Sequence, residues 1–571
     1  VTTLRGTQYN GFQWTGEGGS SDWNNSSNWF TCAVPGAGNN VAIFDGTYDP
    51  IISGGAVSCN NLVIEPSASL TINADGNLLA NSITINSSGT GSSGSLINYS
   101  SNSLTATYNR FLREDGNYGD KHLFSSPVEN QDITDFITAY SAKIDSVRTW
   151  NEVGGVWTRL TTGPFAAGKG YNVYQRTGSD GLFSFTGSVV NSASISVTSP
   201  FEDPYYLRGS DPYGNADPTS INWTDGRGFI SGVWTNWGGG GWNLLGNPFT
   251  SAMDASLFVG ENSESFDPSY QAIYIYDGIN GVYKYAGASR VDFPTEGGDY
   301  GNIIQAGQGF MVMANYNEAP ISFTSAMQTH STGTVLLKSA AAEDPWPGLQ
   351  LKVKYGDKES LTTIVYYNEM SAGLDPGYDI GQLASGRPVE VYTVLAAKDE
   401  GVNLVRQALP VIGAEKIIVP VGTDTRNGGE VTFSAFTIPL GTKRFWLEDR
   451  TTGIYTDLTT KSYTVTLPAN TYGTGRFYII ASTNTPTDIR QPEADDMTLR
   501  IWASDGKVII RGDVTDRAFC EIYDMRGQKL LGTKLIDGEL NTVMLPAGIS
   551  GVYLVRVVDG INIFTRKVAV L

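Results

Sequence analysis

The side chains able to do chemistry are few, and their scarcity narrows what this chain can be. It has two histidines, His122 and His330, and three cysteines, Cys32, Cys59 and Cys520. A histidine-rich metal centre is excluded, and a Ser-His-Asp or Cys-His nucleophile would have to use one of those two imidazoles. Cys32 and Cys59 lie 27 positions apart and read either as a disulfide in an oxidising compartment or as two buried free thiols. The loop Leu374-Asp-Pro-Gly-Tyr-Asp379 brings the carboxylates of Asp375 and Asp379 close. A calcium ion takes about six to eight oxygens, so these two read as turn residues bonded to local backbone. A glycosidase needs two facing carboxylates roughly 5–9.5 Å apart, and no strand-end pair stands out. The portion reads as non-enzymatic, with no metal and no cofactor.

Two groups of aromatics remain as binding candidates. Trp14, Trp23 and Trp29 fall close together and either cap a stack of strands or bind sugars by ring stacking; capping is the favoured reading. Trp223, Trp234, Trp237 and Trp242 flank a run of four glycines at 238–241. They would form a platform for a glycan ligand if exposed, and core aromatics beside a glycine loop if not.

These residues need a scaffold, and composition says which kind. With 571 residues the chain is too long for one core and is expected to hold three to five domains. Gly 67 and Pro 24, with aromatics at 11% and charged residues at only 17%, favour an all-β protein of extracellular type. The net charge of −19 argues against nucleic acid as a partner, which requires a basic face. No signal peptide begins at Val1, so the chain is expected to be processed or a fragment.

Residues 1–105 carry one basic and six acidic residues. Their short alternating runs at 62–72, 78–85 and 96–99 predict a β-solenoid-like or sandwich module. Residues 106–335 contain a duplication. His122-Leu-Phe-Ser-Ser-Pro-Val128 matches Asn243-Leu-Leu-Gly-Asn-Pro-Phe249, and Trp150-Asn-Glu-Val-Gly-Gly-Val-Trp157 matches Tyr276-Asp-Gly-Ile-Asn-Gly-Val-Tyr283. Ala167-Gly-Lys-Gly-Tyr-Asn-Val173 then matches Ala306-Gly-Gln-Gly-Phe-Met-Val312. The three blocks recur in order at offsets of 121, 126 and 139, which predicts two related β-rich halves, about 106–200 and 201–335. The second block reads as a hairpin. The Gly-x-Gly block reads as a tight turn feeding a strand; no helix follows to cradle a phosphate, so nucleotide binding is rejected. Residues 345–484 are expected to form a β-sandwich. Residues 485–496 are a linker by composition, and 497–571 a last compact module. From 491 to 571 there are 11 acidic and 10 basic residues, so nearly all of the negative charge lies upstream.

That last module resembles the type A C-terminal sorting domain of proteins exported by the type IX secretion system of Bacteroidota. The resemblance rests on Val508-Ile-Ile-Arg-Gly512, Cys520-Glu-Ile-Tyr-Asp-Met-Arg-Gly-Gln528, Leu545-Pro-Ala-Gly548, Gly551-Val-Tyr-Leu-Val-Arg556 and Arg566-Lys-Val-Ala-Val570. It covers some 75–80 residues at the C-terminal end; Cys520 stands where the pattern expects an apolar residue. Phrases upstream, such as Trp242-Asn-Leu-Leu-Gly-Asn-Pro-Phe249 and Gly373-Leu-Asp-Pro-Gly-Tyr-Asp379, are also similar to surface proteins of that phylum.

The residue patterns predict tandem β-solenoid and β-sandwich-like domains, and the resemblance implies that they end in a small immunoglobulin-like β-sandwich sorting domain. It implies a secreted or cell-surface, outer-membrane-associated protein. Its partners would be the type IX translocon, an outer-membrane β-barrel shuttle protein and a sortase-like peptidase. It assigns the sorting signal and shuttle contact to Gly527, Pro546, Gly548, Gly551, Tyr553, Arg566 and Lys567. Asp145-Ser146-Val147 resembles the phylum's O-glycosylation site, with Ser146 as acceptor. The upstream domains would act as stalk, adhesin or binding modules. The alternatives are a carbohydrate-binding or carbohydrate-active surface protein, and a structural fibre or surface-layer subunit.

Overall fold

The computed structural model describes residues 11–486 and 499–570 except for internal stretches, the longest being 113–120, 199–226, 288–301 and 332–345. The chain divides into two compact units, Val1–Thr485 and Pro486–Leu571. Nearly every described element is a strand, so the fold class is all-β.

The first unit begins with a three-turn β-solenoid. One sheet runs Phe12–Trp14, Val41–Ile43, Gly55–Ile64, Gly76–Asn86 and Thr105–Leu112, each strand parallel to the next. A second sheet pairs Ile51–Ile52, Ser69–Ile72 and Ser95–Asn98, also in parallel. The register explains the sequence: Val41 pairs with Leu62 and Leu62 with Ile83, so positions one rung apart stack the same apolar side chains inside. Outward amides and hydroxyls stack too, as Asn81 donates to Asn60 at 2.7 Å, Asn60 to Asn40 at 3.0 Å, and Ser82 to Asn61 at 2.7 Å. The rungs are thus held by three coincident ladders: backbone, apolar core and polar edge.

Trp14, Trp23 and Trp29 are all buried. Trp29 meets both of the others edge to face, with ring centroids 5.1 and 4.8 Å away. They belong to the solenoid core, which removes them as ligand aromatics. The expected boundary at 105 is crossed, because the solenoid sheet continues through Thr105–Leu112 into the antiparallel strand Gly181–Ser188.

The duplicated region folds as two halves with one topology. In the first, the sheet order is Lys121–Phe124, Tyr171–Gln175, Ile144–Asn151, Val156–Leu160; in the second it is Trp242–Gly246, Gly309–Met313, Ile273–Asp277, Val282–Ala286. Among the described residues, each half also has a short helix after its first strand, Ile133–Ala139 and Ala255–Glu261. Asp132 caps the first by accepting from the N–H groups of Thr134 and Asp135, and Asp254 caps the second through Ser256 and Leu257. These caps satisfy donors that the first helical turn leaves open.

Downstream, eleven strands from Gly348–Tyr355 to Phe477–Ser482 belong to a single hydrogen-bonded sheet. Where a β-sandwich is expected, the strands form one continuous sheet lining one core, which includes Leu349, Ile364, Val391, Phe433, Leu447 and Ile479. It abuts the second half through Tyr274, whose hydroxyl donates to the Gly381 carbonyl at 2.8 Å. The solenoid is tied to the same half by His330, whose two ring nitrogens lie 2.8 Å from the hydroxyls of Thr71 and Ser95.

The second unit has a three-stranded sheet, Arg500–Ser504, Lys507–Val514 and Gly538–Met544, and a four-stranded one. The latter runs Lys529–Lys534, Phe519–Asp524, Gly551–Asp559, Asn562–Val570. Their inward side chains, among them Ile501, Val508, Ile510, Cys520, Ile522, Val543, Val555 and Val557, form one core of their own.

Candidate functional site

The Gly-x-Gly turns are where the two halves meet. Lys169 bridges to Leu245, and Gln308 bridges to Phe124, so each turn reaches across to the first strand of the other half. The hydrogen bonds repeat the exchange: Gly170 N–H donates to Leu244 and Gly246 N–H to Gly168, while Ser125 N–H donates to Gly307, all at 3.0 Å. Glycine is required for two separate reasons. Gly168 and Gly307 have φ of +78° and +68°, the left-handed region that favours glycine. Gly170 and Gly309 allow close approach, since a Cβ on Gly309 would lie 2.6 Å from the Phe124 nitrogen and one on Gly170 would overlap the Leu245 carbonyl oxygen.

One side of this seam opens into a cleft of about 310 Å³ lined by Trp150, Glu152, Lys169, Ser196, Thr198 and Asn243, with Leu244 and Leu245 among its apolar wall. Glu152 is buried; its carboxylate accepts from the Trp150 indole N–H at 2.5 Å and from Gly241 N–H at 2.8 Å. Trp150 also packs edge to face on Trp157, centroids 5.4 Å apart. Asn243 is committed to Thr198, accepting from its N–H at 2.8 Å and donating to its carbonyl at 2.9 Å. Sequence reasoning read these residues as hairpin and turn. The available signal was the difference between the copies: Trp150, Glu152 and Lys169 stand where the second copy has Tyr276, Gly278 and Gln308.

In the second unit, the residues assigned to sorting fall mainly on two adjacent strands. Gly551 and Tyr553 lie on Gly551–Asp559, and Arg566 and Lys567 lie opposite on Asn562–Val570. Arg566 and Pro546 are exposed and Tyr553 is half-buried; Gly527 and Gly548 lie outside the described residues. Beside these strands, Glu521 accepts from Lys529 at 2.7 Å, from Tyr523 at 2.9 Å and from Arg556 at 3.3 Å, which holds its carboxyl below the usual carboxylate range. The three-stranded sheet shows a feature the sequence reading missed: Leu540 and Met544 face outward, 64% and 63% exposed, and Ile536 nearby is 77% exposed.

Several expectations are corrected. Cys32 and Cys59 form no disulfide: both are free, Cys32 exposed on a loop and Cys59 pointing into the solenoid core. Burial pushes the Cys59 thiol up to about 11. Ser146 is 1% exposed and its hydroxyl accepts from Arg148 at 3.1 Å, so the folded chain does not present it to a glycosyltransferase. Trp242 is a core residue, packed edge to face on Tyr270 and Tyr274. Trp223 and Trp237 lie outside the described residues, as does the side chain of Trp234.

Asp379 is wholly buried; it accepts the N–H groups of Asp375 at 2.7 Å and Ala408 at 2.8 Å. Burial pushes its carboxyl up to about 7. Asp375 accepts from Ser371 instead, so the loop fastens itself. Among the described residues, no group of three metal-ligating side chains converges, and no helix is long and apolar enough to cross a membrane.

The model of a family described as a domain of unknown function, DUF8693, matches residues 13–480. No curated protein matches the chain. Among solved structures, a polysaccharide lyase is similar at 9% identity over 40% of each chain, with a TM-score of 0.12. A β-glucuronidase from Ruminococcus gnavus is similar at 10% identity over 25% of this chain and 36% of its own, with a TM-score of 0.10. The BSP domain of a biofilm-associated protein is similar at 8% identity over 67% of this chain and 96% of its own, with a TM-score of 0.13. The chain therefore spans well under half of the lyase and of the glucuronidase.

Proposed function

Starting from a chain that belongs to the DUF8693 family, matched over residues 13–480, we propose that it is cargo of a type IX secretion system, displayed at or released from the cell surface. Pro486–Leu571 is its export tail. The first unit is a non-catalytic display and binding module. The observation that carries this reading is that the tail closes a core of its own, beyond the segment the family covers. A signal read as a folded surface has to fold without its cargo, and this one has the buried apolar strands to do so.

In this reading the shuttle protein grips the tail's outer surface. The exposed side chains of Ile536, Leu540 and Met544 supply apolar area of the kind that marks contact sites. Arg566, exposed on the strand Asn562–Val570, supplies a polar part. The translocon then passes the cargo, and a sortase-like peptidase removes the tail.

The test is a paired deletion and graft. Removing 486–571 should leave a folded first unit retained in the periplasm, and fusing 486–571 to an unrelated periplasmic passenger should carry that passenger to the surface. Surface display of the truncated chain, or retention of a folded graft, overturns the proposal.

A further inference from the structure

We propose that the cleft between the two halves binds a carboxylated pyranose, a uronic acid residue of a glycan; this does not depend on the export reading. The seam is asymmetric. Its reciprocal bridges make Lys169 and Gln308 structural counterparts. Gln308 is used by its own turn, its side-chain oxygen accepting from Gln305 N–H at 3.1 Å. The ammonium of Lys169 has no hydrogen bond or ion pair among the described residues, yet it lines the cleft. A turn needing only closure is served by glutamine. A donor-only cation left without a partner is suited to an anion, and in a chain of net charge −19 it forms a local exception to the field.

The remaining walls select the rest of the ligand. Trp150 is fixed before any ligand arrives, by the Glu152 carboxylate on its indole N–H and by Trp157 against its ring. A preset indole takes the C–H face of a sugar at little cost in ordering. Glu152, itself buried, serves to hold the indole and the Gly241 N–H in place. The Ser196 hydroxyl, on the exposed rim, can pair with a sugar hydroxyl. A volume of about 310 Å³ is at the small end for ligand pockets and fits one or two sugar rings rather than a long chain. The seam thus supplies a cation for the carboxylate, a ring for the apolar face, and a rim hydroxyl for a sugar hydroxyl.

The second half itself provides the test substitutions, because Lys169→Gln and Trp150→Tyr install residues that the same topology already carries. The full chain would be titrated calorimetrically with tri-galacturonate, glucuronate and, as a neutral control, maltotriose. The expected result is uronide binding that Lys169→Gln weakens by about tenfold or more, the size of a lost charge-assisted hydrogen bond. Lys169→Arg should retain it within about threefold, since it keeps the charge. Trp150→Tyr should weaken it less than Lys169→Gln does. Added salt should weaken uronide binding in the parent, a measurement that needs no variant to fold. Equal affinity for maltotriose and tri-galacturonate, uronide binding indifferent to Lys169→Gln or to salt, or no uronide binding at all overturns the assignment.

Discussion

Replacing Gly309 with alanine should loosen the seam between the two halves without unfolding either. A Cβ there would lie 2.6 Å from the Phe124 nitrogen and 2.7 Å from the Leu123 carbonyl carbon. Ordinary carbon contacts begin near ~3.5 Å, and both obstructing atoms are backbone, so no side chain can swing aside. The strand Lys121–Phe124 must retreat, and the bond from Ser125 N–H to Gly307 is strained with it. Overpacking costs about 1–3 kcal/mol and a lost hydrogen bond about 1 kcal/mol, so roughly 3 kcal/mol is expected. That is about a hundredfold in an opening equilibrium. Hydrogen exchange read by mass spectrometry reports it directly, as lost protection in peptides covering 121–128 and 304–312. Gly356→Ala is the control: φ there is +59° with nothing within 4 Å, leaving only the left-handed backbone cost of about 1–2 kcal/mol. If Gly309→Ala leaves protection within about threefold of the parent, or if Gly356→Ala loosens the same peptides equally, close approach at the seam is the wrong explanation.

Three further predictions concern titration and reactivity. Burial lowers His330 to about 4, so its contribution is present above the ordinary imidazole range near 6.5 and is lost as pH falls through about 4; NMR of the two histidine rings, assigned with His330→Gln, should show one titrating near 4, and a midpoint near 6.5 refutes the buried neutral ring. Asp379, raised to about 7, acts in the opposite sense: its contribution is full below about 3.8 and is lost as pH rises through 7. Asp379→Asn should flatten the dependence of first-unit stability on pH between 4 and 7, and an unchanged slope in melting temperature counts against it. Finally, Ellman's reagent should modify one thiol per native chain, that of Cys32, because Cys59 and Cys520 are buried and pushed up to about 11 and about 12; two or three rapid equivalents would contradict the packing.

Where sequence periodicity and packing are the same thing, the sequence was readable. The solenoid shows this: apolar residues such as Val41, Leu62 and Ile83 recur because they stack in register, and their spacing is visible without coordinates. The duplication was readable for a related reason, since the turn glycines and the prolines just after each first strand are set by backbone geometry. What stayed hidden depends on which strand lies across from which. Ser146 occupies a pattern that reads as accessible, but it lies within the strand Ile144–Asn151, paired with Tyr174, and is buried. Cys32 and Cys59 are close in sequence, yet the rung carries Cys59 inward while Cys32 sits on an exposed loop. The continuous eleven-stranded sheet and the crossing of the 105 boundary were hidden likewise, because hydrogen bonding between distant strands leaves no local composition signal.

The seam also separates structural demand from chemical choice within one chain. Gly168, Gly170, Gly307 and Gly309 occur on both sides because the two turns share the same left-handed backbone and the same close approach. The positions beside them are under no such demand, and there the halves part company: Lys169 against Gln308, Trp150 against Tyr276, Glu152 against Gly278. If those differences were only tolerated drift, exchanging the residues between the halves would alter neither stability nor binding. If they build a site, moving lysine to position 308 with glutamine at 169 should preserve the fold while abolishing uronide binding at the original cleft. Position 308 lies against the Lys121–Phe124 strand, where no Trp150–Glu152 pair is in place to complete a second one. The double exchange therefore separates the scaffold from the chemistry: unchanged binding would show that the cleft owes nothing to its cation.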